Sequence, residues 1–276
     1  MRNTTKLATA VLAAGALTLG LTACGADKAD SASDTSGPLV VAASPTPHAD
    51  ILNFVKDNLA KDAGLELEVK EFSDYVLQNP ATEDGSVDAN YFQNQPYLDD
   101  YNKKNGTDIV PVVTVHLEPL GLYSNKVESA DALKSGATVA VPNDTVNEAR
   151  ALKLLDASGI ITLKDGVGTD ATPSDITESP KKLQFKELEA AQTPRSLDDV
   201  DAAVINGNYA LEAGLSPADD ALAVEPAKDN PNGNFLAVKK GDEDPRVKKL
   251  AKLLTSDEVR KFIEDKWSNG SVIPSF

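Results

Sequence analysis

Strand-like and helix-like stretches alternate along residues 39–106, an extended segment fills 109–124, and the alternation then begins again. That order is expected of an α/β chain. The run "LVVAAS" (39–44) suits a buried strand. In the stretch that follows, Thr46 is a candidate cap and Pro47 suits a first helical position. Ile51, Leu52, Val55 and Leu59 share one helical stripe, and Gly64 is the stop. "LELEVKEF" alternates as a half-buried strand does. A strand is predicted at 89–92 and a helix at 96–106. Pro111 and Pro119 are expected to break 109–124. The second series has strands in "ATVAVPND", "LQFKELEA" and "DAAVING", with a helix over 145–158. "GNFLAVKKGD" is a further strand, and Asp244 with Pro245 opens the last helical region. There Thr255 and Glu258 read as a capping box. The reading is two α/β lobes, residues 38–117 plus 225–276 and residues 118–224, with a ligand cleft between them.

The first residues differ from all others. Arg2 and Lys6 precede an uncharged run from 7 to 23 with small residues at its end. This is the pattern of a secretory leader, 1–23. The only cysteine, Cys24, directly follows Leu-Thr-Ala, an arrangement that resembles a lipobox with Cys24 as the lipidated residue. Small polar residues to position 37 form a tether with too little apolar surface to order itself. With one cysteine, no internal disulfide can form. Acids outnumber bases 43 to 27, which argues against nucleic acid or an anionic membrane surface as the main partner.

Enzyme signatures do not appear. The two histidines, His48 and His116, lie far apart, and there is no HExxH, GxSxG, P-loop or dinucleotide glycine pattern. The acids Asp198, Asp199 and Asp201 read as a solvated run, so neither metal nor cofactor is expected. Arg150 is more telling. It falls between Val146 and Leu154 on an otherwise apolar helix sector. A guanidinium there suits a ligand carboxylate, and it equally suits a structural acid. Asn206 and Asn234 stand at strand ends beside glycines, whereas Asn208, Asn230 and Asn232 read as turn residues. The chain has seven Phe, six Tyr and one Trp, yet "DANYFQNQPYL" (88–98) holds three rings among amides. Rings and amides together suit a small zwitterion with an apolar tail.

These residues carry a likeness. "SPTPHADIL", "FSDYV", "DANYFQNQPYL", "HLEPLGLYS", "VAVPNDTVNEARALKLL", "QTPRSLDDVDAAVINGNYA" and "GNFLAV" follow in order along the chain. With "LTAC" they resemble the MetQ/NlpA family of methionine-binding lipoproteins of bacterial ABC importers. The resemblance implies a two-lobed type II periplasmic-binding-protein fold. It implies a non-enzymatic, monomeric receptor for L-methionine, lipid-anchored on the outer face of the cell membrane. That receptor would serve a permease with cytoplasmic ATPase subunits. Carried over by position, Arg150 would hold the ligand carboxylate, and Asn206 and Asn234 its amino and carboxylate ends. Tyr75, Phe92 and Tyr97 would line the side-chain pocket, with His116 and Tyr123 on the hinge segment. At position 94 the family usually has histidine and this chain has Asn94. A methionine-containing dipeptide or another apolar amino acid is therefore an alternative ligand. A secreted hydrolase and a surface adhesion protein are rivals of other classes.

Overall fold

In the computed structural model, which describes residues 37–276, the chain builds one sheet, leaves it for a second, and returns. The leader, Cys24 and nearly all of the tether lie outside the described residues. The first pass gives β1 (Leu39–Ala43), α1 (Asp50–Val55), β2 (Leu67–Glu71), α2 (Gln78–Glu83), β3 (Ala89–Gln93), α3 (Gln95–Asn105) and β4 (Ile109–Leu117). The second pass gives β5 (Gly121–Tyr123), β6 (Thr138–Pro142), α4 (Thr145–Ala157), β7 (Thr162–Leu163), β8 (Ile176–Glu178), β9 (Gln184–Leu188), β10 (Ala202–Ile205), α5 (Gly207–Glu212) and β11 (Ala223–Val224). The return gives β12 (Asn234–Lys239), α6 (Pro245–Leu254), α7 (Asp257–Lys266) and β13 (Ile273–Pro274).

The strand order is β13-β4-β12-β3-β1-β2 in the first sheet and β11-β5-β10-β6-β9 in the second. In each, the central strands are parallel: β1 with β2 and β3, and β6 with β9 and β10. Strands from the later connections run antiparallel, as β12 does beside β3 and β4, and β5 does beside β10. Each sheet buries its own core. Val41, Leu52, Val55, Leu250 and Ile263 pack in the first, and Val139, Val141, Leu152, Leu155 and Val204 in the second. Buried on both faces, the parallel strands read as continuous apolar runs, which is why β1, β6 and β10 stand out in the sequence.

Three local expectations change. Thr46 is extended (φ −132°, ψ 142°), and its hydroxyl donates to Asp50 at 2.7 Å without capping a backbone amide. Pro111 does not break β4. It pairs with Ala237 where the ladder shifts register, a place that tolerates a residue without an N–H. Ser256, not Thr255, caps α7, accepting from Val259 N at 3.3 Å, while the Thr255 hydroxyl donates back to Ala251 O. The helix over 95–105 ends as expected at Gly106, whose φ of +67° suits a residue without a side chain.

The sheets are joined by two crossings, 118–120 and 225–233. Phe92 near the end of β3, Tyr75 after β2, Asn206 after β10 and Asn234 at the start of β12 converge beside these crossings.

Candidate functional site

A cleft of about 360 Å³, mouth included, lies between the sheets. Tyr75, Phe92 and Tyr97 cluster in its lining, each ring centroid 5.8–5.9 Å from the other two. Tyr209 adds a fourth ring, 4.9 Å from Tyr75. Tyr75 follows a strand of the first sheet but packs on the core of the second, and its hydroxyl donates to Asn208 Oδ1 at 2.5 Å. Burial pushes the Tyr75 hydroxyl pKa well up, so it stays a donor. Tilted and edge-on rings at these separations attract one another and make an apolar wall.

The rest of the lining is amide-rich. Asn206 is 5 % exposed and Asn234 8 %, and both line the cleft. Asn94 also lines it, at the N-cap of α3, where Oδ1 accepts from Tyr97 N at 3.1 Å. Its position therefore serves helix termination as well as the cleft. Asn208, read from sequence as a turn residue, lines the cleft and is 2 % exposed. Gly207 beside it is required by space: a Cβ there would stand 2.6 Å from Glu118 Cβ.

Arg150 lines the cleft, but its charge is not free. Nε donates to Glu225 Oε1 at 3.0 Å, and Nη2 donates to Glu225 Oε2 at 2.5 Å and to the Glu118 carbonyl at 3.2 Å. Of the two readings left open by the sequence, a structural acid is present: Glu225 of the same chain pairs with the guanidinium. Glu225 lines a neighbouring groove rather than the cleft, so the pair forms the partition between them. Burial disfavours the Glu225 carboxylate, yet the Arg150 charge and hydrogen bonds outweigh this and hold its pKa below the ordinary value. Nη1 makes no hydrogen bond among the described residues, which leaves two N–H groups for another acceptor.

His116 does not line the cleft. It is fully buried behind it: the Tyr91 hydroxyl donates to Nδ1, and Nε2 donates to Glu118 Oε1 at 2.7 Å. Tyr123 is likewise buried in the core of the second sheet. His48 completes the cluster. Its Nε2 stands 3.4 Å from Glu118 Oε1 and 3.2 Å from Asn234 Oδ1. A nitrogen facing two oxygens carries the proton, so His48 donates and Asn234 turns its Nδ2 away from the imidazole. Burial lowers the His48 and His116 pKa values to about 4 and about 3. It raises that of Glu118 to about 7, against the opposing pull of His48 and Arg150. The ligating atoms of His48, His116 and Glu118 lie within 4.8 Å of one another, close enough to surround an ion. The 2.7 Å separation within the set is that of a hydrogen bond between His116 and Glu118, and His48 Nδ1 has no hydrogen-bond partner among the described residues.

Part of the amide run at 88–98 is structural. Gln93 Nε2 donates to Asn79 and Asn90, and Asn90 Nδ2 donates to Asn79 and Thr82, which ties α2 to β3. The structure brings Tyr75, Phe92, Asn94, Tyr97, Arg150, Asn206 and Asn234 together on one cleft and leaves His116 outside its lining. The lining also holds Glu118, Asn147 and Asn208, which the sequence did not single out as site residues. A signal existed for Glu118, an acid inside the otherwise apolar "HLEPLGL".

Comparison with known proteins follows the same outline. The family model for NlpA lipoprotein matches residues 39–276. The methionine-binding lipoprotein MetQ of Bacillus subtilis is 42 % identical over 260 residues, covering 92 % of this chain and 93 % of that one. A nutrient binding protein from Burkholderia cenocepacia, solved bound to methionine, is 46 % identical with a TM-score of 0.83, over 86 % of this chain and all of that one. An ABC transporter periplasmic substrate-binding protein from Coxiella burnetii is 42 % identical with a TM-score of 0.81, over 86 % of this chain and all of that one. In sequence and in its two-lobed α/β fold, the chain belongs to the NlpA lipoprotein family.

Proposed function

We propose that this protein is a receptor that captures methionine in the cleft between its lobes, 38–117 plus 225–276 and 118–224, and delivers it to an ABC import permease. The observation that carries this reading is the make-up of the cleft lining. Rings from Tyr75, Phe92 and Tyr97 share it with Asn206, Asn234 and Arg150. An unbranched thioether suits the rings, through sulfur–aromatic contact. The zwitterionic end suits the amides, with the carboxylate on Asn234 Nδ2 and Arg150 Nη1 and the ammonium on Asn206 Oδ1. The methionine-bound relative at 46 % identity supports the same ligand class. Glu118 and Arg150 are the charged side chains of the lining, and no pair of carboxyls faces across it, which argues against hydrolysis.

Cys24 acts as the lipid anchor and the permease as the partner, both in keeping with the family's character. A second space beyond Tyr75 and Tyr97, lined by Asp74 and Asn143, favours a dipeptide as the alternative ligand. The test is calorimetry and thermal melting on ligand-stripped protein with L-methionine, D-methionine, Gly-Met and leucine. Saturable binding of methionine with a raised melting temperature supports the reading. Binding of Gly-Met alone favours the dipeptide, and no response to any of them rejects both. Loss of membrane association in Cys24→Ser tests the anchor.

A further inference from the structure

The polarity of the Asn206 amide is not free to vary. Asp144 caps α4, accepting from Asn147 N at 2.9 Å. The same carboxylate takes the Asn147 side chain, whose Nδ2 lies 3.1 Å from Oδ1 and 3.0 Å from Oδ2. An ionised carboxylate can only accept, so Asn147 must present its NH₂ to Asp144 and its carbonyl oxygen elsewhere. That oxygen meets Asn206, whose Nδ2 donates to it at 2.9 Å. Asn206 is thereby left with Oδ1 as its unpartnered atom, Nδ2 having one of its two N–H groups on Asn147. This oxygen is buried, has no partner among the described residues, and belongs to a side chain that lines the cleft.

We infer that Asp144 and Asn147 are positioning residues: their acceptor-to-donor relay fixes the Asn206 amide with its oxygen as the unpartnered atom and makes the cleft select ligands with a protonated amino group. The inference rests on the proposed ligand and adds what enforces recognition of its ammonium end. A buried amide free to flip would serve a donor or an acceptor equally. One locked with its oxygen outward rewards N–H⁺ and leaves an oxygen unsatisfied when the amine is missing.

Asp144→Asn tests this, because asparagine is an equally good cap and the helix start is retained. With Oδ1 of the new residue on the backbone amide, its NH₂ faces that of Asn147. The favoured response is for both amides to flip, which gives Asn206 a donor to present. Methionine and its deaminated analogue, 4-(methylthio)butanoic acid, are titrated side by side into ligand-stripped wild type and variant. A fall of about tenfold or more in methionine affinity is expected, with the analogue unchanged or tighter, as one charged hydrogen bond is replaced by repulsion. Asn147→Leu, which cuts the relay, is expected to erase the preference for the amine in the same way. If Asp144→Asn keeps the wild-type ratio of the two affinities, or weakens both ligands equally, the relay has no part in selection. Wild-type protein that binds neither compound would instead reject the ligand reading, and this inference with it.

Discussion

Arg150 and Glu225, 75 residues apart, form a two-pronged ion pair with side chains 10 % and 15 % exposed. Glu225 also accepts from Leu120 N at 3.3 Å and from Asn232 Nδ2 at 3.0 Å. Removing one member strands the other. Arg150→Ala is expected to lower folding stability by about 3 kcal/mol, the usual cost of leaving one buried charge alone. The double variant Arg150→Ala/Glu225→Ala is expected to recover most of that stability and none of the ligand affinity. Urea denaturation and calorimetry on the same samples separate the two effects.

Stability should fall in acid. His48 and His116 have folded pKa values near 4 and 3, below the ordinary 6.5, so what they contribute is present above 6.5 and lost as pH falls towards 4. Glu118 runs the other way. Its folded value near 7 exceeds its ordinary 4.5, so its contribution is present below 4.5 and lost as pH rises through 7. Two imidazoles outweigh one carboxyl, and the net change between pH 6.5 and 4.5 is destabilisation as pH drops. Glu118→Gln removes the opposing carboxyl and is expected to steepen the loss, measurable by denaturation at a series of pH values.

The Tyr75 hydroxyl bridges to Asn208 from the opposite side of the cleft. Tyr75→Phe keeps the ring and leaves Asn208 Oδ1 without its donor. Ligand affinity should fall by about five- to tenfold, the effect of about 1 kcal/mol of lost hydrogen bonding. The lost bond should also lower the melting temperature modestly, and calorimetry reads the effect on the ligand.

Asn94 has two duties. Asn94→Ala should cost about 1 kcal/mol through loss of the cap on α3, with Asn94→Asp close to wild type. If side-chain choice in the cleft also depends on this position, Asn94→His should narrow the preference among methionine, Gly-Met and leucine. Parallel titrations check this separately from stability.

The elements were largely legible because each announces itself within a few residues. Apolar runs mark β1, β6 and β10, and Asp144 and Asp244 precede α4 and α6 at capping distance. The ring cluster of the cleft was legible because Phe92 and Tyr97 stand in one stretch. What escaped were relationships between distant segments. Nothing near Arg150 points to Glu225, and nothing in "VINGN" shows that Asn208, which reads as a turn amide, lines the cleft beside Asn206. His48 and His116 were too far apart in sequence to suggest that their rings lie 4.8 Å apart.

The guanidinium of Arg150 touches both crossings at once, the first through the carbonyl of Glu118 and the second through the carboxylate of Glu225. Two connecting segments riveted at a common corner cannot shear past each other while those bonds hold. What remains open to them is a swing about that corner. The Tyr75–Asn208 hydrogen bond is the contact such a swing would break.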